Sequence, residues 1–305
     1  MGWNMPCPFV PGYDFAGIIS SLHPLDENSA ATTGLRVGER VCGVNFGAAR
    51  HDEPGCPVGG AFAEYMAVPL SKLSRLPDEL SFSSAAGIGL AGCTAYQMLF
   101  DIAKIKAGDR ILILGGATSV GMIAIQLAKS AGAWVAATCS ARGEDFLRSL
   151  ALLPDEILPY QATDSQPSPS LKAEDRWDVR DSCKDLHAVL DIVGEAGTFA
   201  KVKAAGMVRQ GGVFMSLSSF EVGFQPQPHL PAFSWAAKYG YSQSTSQQNE
   251  VLALLAKKKI KLPIHTTYPF TTEGVQAMFQ QVDGMKSLGK NILSVVDEKE
   301  ANGTV

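Results

Sequence analysis

"LILGGATSVG", Leu112–Gly121, is the stretch on which the reading of this chain turns. Its first residues continue the run "RILIL" (110–114), which has no polar residue after Arg110 and reads as a strand buried on both faces. Two glycines follow. From Val120 onward, Ile123, Ala124, Leu127 and Ala128 fall three, four, seven and eight positions on, the apolar stripe of a helix. A strand, a glycine turn and a helix in succession is how a dinucleotide site begins. In such a site one glycine makes the tight turn, a second admits the pyrophosphate, and a third lets the helix pack close to the strand. Gly116 and Gly121 suit the first and third tasks, and Thr118 stands where the second is usual. An ordinary strand–helix junction can need the same glycines for packing. The nucleotide reading adds a use for the Thr118 and Ser119 hydroxyls as donors to a phosphate oxygen. It also uses the free N–H groups at the helix start, around Val120.

The elements that follow form a strand–helix alternation. "WVAATC" (134–139), "EILPY" (156–160), "AVLDIV" (188–193) and "GVFMSL" (212–217) read as further strands, and 146–153 and 196–205 as helices. Such alternation predicts a doubly wound parallel α/β sheet. Ahead of it lie the short strands "YDFAGIISSL" (13–22), "RVCGV" (40–44) and "AFAEYMAV" (61–68), then a helix over 83–103. After it come an irregular stretch at 220–248, a helix over 250–259, strand 263–270, helix 272–282 and strand 290–296.

The second strand of the βαβ unit supplies the next test. A site for the unphosphorylated dinucleotide usually places Asp or Glu about 20 residues beyond the first glycine, on the ribose hydroxyls. Here that strand runs into "TCSAR" (138–142) and has no acid until Glu144 and Asp145, which fall in the first turn of the next helix. Ser140 and Arg142 can instead hold a 2′-phosphate, with charge-assisted hydrogen bonds from the guanidinium. Tyr160, at the end of the third strand, can close the same pocket. These residues favour NADPH. The competing reading makes Ser140 a helix cap and Arg142 a solvated charge.

Bulk properties bound the remaining options. The 305 residues are 46% hydrophobic and carry a net charge of -4, with no basic stripe, so nucleic acid is not an expected partner. No apolar run is long enough to span a bilayer and no secretory signal is visible, which leads us to expect a cytoplasmic chain with its six cysteines reduced.

The ordered set "GYDFAGII", "GERVCGV", "GGAFAEYMAVP", "AAGIGLAGCTAYQML", "KAGDRILILGGATSVG", "TCSAR", "LDIVG" and "GKNIL" resembles the zinc-independent medium-chain dehydrogenase/reductase superfamily. This group includes quinone oxidoreductases and the trans-acting enoyl reductases of fungal polyketide assembly. The likeness runs from about Pro8 to Val296. It implies a Rossmann domain joined to a GroES-like β-barrel domain. Residues 1–94 and 262–305 would form the substrate unit and 95–261 the cofactor unit, with the nicotinamide between them. The family carries further strands ahead of "GYDFAG", so the barrel is expected to be partial. By the same resemblance Thr94 would meet the nicotinamide or ribose, Val193 and Gly194 the ribose, and Leu217 and Ser218 the carboxamide. A homodimer is also implied.

Tyr13 and Asp14 stand where zinc-dependent relatives of that superfamily carry His and Glu, and a site from Cys42, His51 and Cys56 has unsuitable spacing. No metal is therefore expected. The resemblance implies hydride delivery from NADPH to an activated C=C bond, as in an enone or enoyl thioester, or to a quinone. Tyr13 is the candidate proton donor, with His51 a second choice. The alternative is a catalytically impaired protein of this family that binds NADPH or a partner.

Overall fold

The computed structural model describes residues 10–23, 33–45, 60–160, 180–194, 197–217, 234–236, 244–283 and 287–296. Three antiparallel strands come first: β1 (Asp14–Ile18), β2 (Arg40–Val44) and β3 (Leu73–Arg75), in the order β1-β2-β3. Short helices α1 (Phe82–Ala86) and α2 (Gly89–Tyr96) follow, and a π-helical turn, Gln97–Ile102, leads to β4 (Arg110–Leu114). Next come α3 (Ser119–Ser130), β5 (Trp134–Ser140), α4 (Ala141–Arg148), β6 (Glu156–Tyr160), β7 (Leu186–Asp191), α5 (Thr198–Ala204), β8 (Val208–Ser216) and β9 (Ser234–Ala236). The chain continues through α6 (Thr245–Ala256), β10 (Ile264–Pro269), α7 (Thr272–Asp283) and β11 (Lys290–Ser294), with β10 and β11 paired in parallel.

The large sheet is parallel throughout, in the order β6-β5-β4-β7-β8-β9. β4 lies in the middle, and the winding reverses between β4 and β7. In open sheets of this topology, ligands lie outside the carboxyl ends of the strands at that reversal. Ile111, Leu112 and Ile113 of β4 are fully buried, as a strand covered by helices on both faces requires. The α3 helix is buried from Gly121 to Ala128, well beyond a single stripe, because α2 covers the side turned away from the sheet.

Several expected elements differ. Residues 61–68 form no strand. Ala61 N–H donates to Gly12 O at 3.0 Å and Phe62 N–H to Pro11 O at 2.9 Å. The segment opposite contains Pro11, which has no N–H, and Gly12 at φ +92°, so a regular ladder cannot continue. The expected helix over 83–103 is interrupted at Gly87–Ile88, where the chain bends around Leu262 and Lys290. The helix placed at 146–153 starts at Ala141, directly behind β5, and ends at Arg148. Gly143 permits that early start, since a Cβ there would lie 2.8 Å from the Ala117 Cβ.

Cys42, Cys93, Cys139 and Cys183 are buried thiols. The Cys42 thiol is pushed up to about 12 from its ordinary 9.0, mainly by burial, against a lowering contact from the Gln248 amide. A thiol raised in the folded state stabilises the fold below its unfolded pKa. That contribution is lost as pH rises through the interval from about 9 to about 12. Wild-type protein should therefore lose more thermal stability than Cys42→Ala between about pH 8 and about pH 10.5. Parallel losses in the two proteins would show that Cys42 is not the group responsible.

Candidate functional site

The glycine turn is built between β4 and β5. Gly115 takes φ +88°, and its N–H donates to Thr138 Oγ1 at 3.0 Å. Gly116 N–H donates to Thr138 O at 2.8 Å. The left-handed residue of the turn is thus Gly115, where the sequence pointed to Gly116. Gly116 is needed for close approach: a Cβ there would lie 2.9 Å from the Ala137 Cβ. At Gly121 an added Cβ would lie 2.3 Å from Gly115 O, so α3 presses its first turn directly onto the loop.

The two hydroxyls expected to face a phosphate are used inside the fold. Thr118 caps α3: Oγ1 accepts from Gly121 N–H at 3.1 Å and donates to Gly115 O at 2.7 Å. Ser119 Oγ donates to Gly289 O at 2.7 Å. These side chains shape the turn, and the positive end of α3, with Val120 in its first turn, faces the reversal of the sheet.

Ser140 and Tyr160 are register partners on β5 and β6. Ser140 occupies the cap position of α4, yet its hydroxyl makes no capping hydrogen bond. Arg142, at the second position of that helix, is exposed and makes no ion pair among the described residues. The first turn also carries Glu144, which pairs with Arg148, so the Arg142 guanidinium and the Ser140 hydroxyl are the donors left without a partner among the described residues. Through Gly143 this helix start lies against Ala117 of the glycine turn.

On the other side of β4, Asp191 organises two strand ends. Its Oδ1 accepts from Gly194 N–H at 2.8 Å, and its Oδ2 accepts from Ser216 Oγ at 3.0 Å. Its carbonyl accepts from Leu217 N–H at 3.0 Å. Val193 is 44% exposed and its Cγ2 lies 2.6 Å from where a Gly115 Cβ would be, so it stands over the turn. Thr94 is buried on α2. Tyr13 packs against Val44 and Cys93, and burial pushes its phenol up. Ser218, His51 and Cys56 lie outside the described residues. Among the described residues, no group of three His, Cys, Asp or Glu side chains is placed to hold a metal ion, and no helix is long and apolar enough to cross a membrane.

Sequence reading missed Thr138 and Asp191. Both are polar residues at the carboxyl ends of otherwise apolar strands, the one signal that could have marked them. It also left Asp14 without a role beyond its place in the motif. The Asp14 Oδ1 accepts from Leu90 N–H at 2.6 Å, and its Oδ2 pairs with Lys290 Nζ.

The Alcohol dehydrogenase GroES-like domain family matches residues 1–78. Trans-enoyl reductase buaC of Petromyces alliaceus is 32% identical over 217 residues, covering 68% of this chain and 55% of that protein. A 2-methylene-furan-3-one reductase of Solanum lycopersicum is 30% identical over 292 residues, 95% of this chain and 64% of its own length. The chain belongs to the medium-chain dehydrogenase/reductase superfamily. This medium-chain dehydrogenase/reductase spans about half the length of the trans-enoyl reductases it matches. Among solved structures, one described as an NAD-dependent alcohol dehydrogenase superposes with a TM-score of 0.71 at 26% identity, covering 96% of this chain and 84% of its own. In this medium-chain dehydrogenase/reductase the residues around the sheet reversal suit a dinucleotide. Ser140 and Arg142 offer donors with no partner among the described residues, beside a glycine turn where an added side chain would meet close neighbours.

Proposed function

We propose that this chain is an NADPH-dependent reductase of activated C=C bonds, in a small enone or a thioester-linked enoyl group, or of quinones. The observation that carries the phosphorylated cofactor is that Ser140 and Arg142, at the start of α4, have no side-chain partner among the described residues. Ser140, Arg142 and Tyr160 would hold the adenosine 2′-phosphate. The turn Gly115–Gly121 and the α3 amino end would receive the pyrophosphate, and Thr94, Val193, Gly194, Leu217 and Ser218 the nicotinamide half. Bound there, the reduced nicotinamide supplies a hydride to the electron-poor carbon of the acceptor. The protein's part is to orient the partners and exclude water from the cleft. Tyr13, a phenol that burial makes a weaker acid than free tyrosine, is the candidate to deliver the proton. The reductase names among its relatives support this reading, as does the pattern of residues at Tyr13 and Asp14.

Loss of the reduced-nicotinamide absorbance on adding a panel of quinones, enones and enoyl thioesters tests the activity. Saturable NADPH binding with no turnover on any acceptor would instead favour a catalytically impaired cofactor-binding protein. Arg142→Ala tests the phosphate assignment. Removing a charge-assisted contact should weaken NADPH by about 10- to 100-fold and leave NADH within about twofold. Equal weakening of both cofactors would show that Arg142 does not read the phosphate.

A further inference from the structure

Asp14 is 7% exposed in its side chain and joins three separate parts of the chain. It stands at the start of β1. One carboxylate oxygen accepts the Leu90 N–H in the first turn of α2, and the other pairs with Lys290 at the start of β11. The residue before that lysine, Gly289, lies against the glycine turn. Its N–H donates to Ala117 O at 3.0 Å, and its carbonyl accepts from Ser119 Oγ at 2.7 Å. Two more glycines leave room for the junction. A Cβ on Gly89 would lie 2.9 Å from Asp14 Oδ1 and 2.6 Å from the Val44 Cγ2. One on Gly87 would lie 2.2 Å from the Leu262 Cδ2 and 3.2 Å from the Lys290 Cγ. The spacing in "AAGIGLAG" (85–92) thus fits the approach of Lys290 and Asp14 to α1 and α2.

We infer that Asp14 is a positioning residue for the nicotinamide half of the site, because its carboxylate fixes α2 and the Gly289–Lys290 strap together against the glycine turn. The inference rests on the cofactor reading above. α2 carries Thr94, one turn beyond the Leu90 N–H that Asp14 holds. The residues assigned to the adenosine phosphate sit on β5, β6 and α4 and make no contact with Asp14 in this network. Loss of Asp14 should therefore act on one half of the dinucleotide and spare the other, which a general loss of stability would not do.

The test compares binding of NADPH and of adenosine 2′,5′-bisphosphate to the full chain carrying Asp14→Ala, Asp14→Asn or Gly89→Ala. Asp14→Ala is expected to weaken NADPH at least about tenfold while the bisphosphate stays within about twofold. Asn retains an oxygen for the Leu90 N–H, so Asp14→Asn should recover part of the loss. Gly89→Ala keeps the carboxylate but pushes α2 away from it, and should reproduce the selective defect if Asp14→Ala does not fold. NADPH binding unchanged in Asp14→Ala, or both ligands weakened in parallel, would overturn the assignment. Wild-type protein that binds neither ligand would overturn the cofactor reading and this role with it. Wild-type binding of both, with unselective variants, would remove only the role of Asp14.

Discussion

Protein carrying Gly121→Ala is expected to unfold more easily by about 2–4 kcal/mol and to lose NADPH binding. The added Cβ would sit 2.3 Å from Gly115 O and 2.9 Å from Gly116 Cα, and both are backbone atoms. No side-chain rotation can relieve such an overlap, so α3 or the turn must move. α3 cannot withdraw cheaply, because its residues from Gly121 to Ala128 are buried. The turn cannot open cheaply either, because Gly115 and Gly116 both hydrogen-bond to Thr138 and Thr118 caps the helix across it. Either movement dismantles the surface proposed for the pyrophosphate. Urea unfolding and a cofactor titration measure the two effects. Gly17 has open space around it and no positive φ, so Gly17→Ala is the control and should behave as wild type. A Gly121→Ala protein of wild-type stability would show that helix and turn are not packed as described.

Gln126→Leu is expected to cost about 3 kcal/mol, a fall in melting temperature of roughly 6–12 °C, with the side-chain volume almost unchanged. Gln126 is a polar residue with no exposed surface, in the middle of α3. Its Nε2 donates to Met122 O at 2.9 Å and to Lys261 O at 2.7 Å. Its Oε1 accepts from Lys261 N–H at 2.8 Å and from Ala151 N–H at 3.2 Å. The amide thus uses all four of its hydrogen-bonding positions, and three of its four backbone partners belong to other segments. Leucine fills the space but leaves the Lys261 N–H and C=O and the Ala151 N–H without their partner, and unmet polar groups carry the larger penalty. Glutamate at the same position should be worse, because a buried carboxylate facing Met122 O and Lys261 O has no proton to give. Thermal unfolding checks both variants. A neutral Gln126→Leu would mean that water replaces the amide at all three backbone groups.

The parallel sheet was legible because its central strands are continuous apolar runs and its turn contains glycines at positions no other residue tolerates. The pairing of Ser140 with Tyr160 could be expected because both close neighbouring strands. The start of α4 was legible only from its ends, with Ser140 as a cap candidate and acids in the first turn, because "ARGED" has no apolar stripe; the close packing of Gly143 on Ala117 accommodates the early start. The failed strand at 61–68 is a mostly apolar run in sequence, but the segment opposite it contains Pro11 and a positive-φ glycine. The Asp14–Lys290 pair joins residues 276 apart, a separation that no local pattern reports. Thr118 and Ser119 were recognised as important, though their hydroxyls turn inward. Sequence marks the residue types of such a turn without telling whether a hydroxyl serves the ligand or the loop.

Parallel titration of the wild-type chain with NADPH and NADH is the deciding measurement. A phosphorylated dinucleotide held at the carboxyl ends of β4, β5 and β6 by Ser140 and Arg142 predicts saturable binding of both, with NADPH tighter by at least about tenfold. Equal affinities, or no saturation with either, would contradict it.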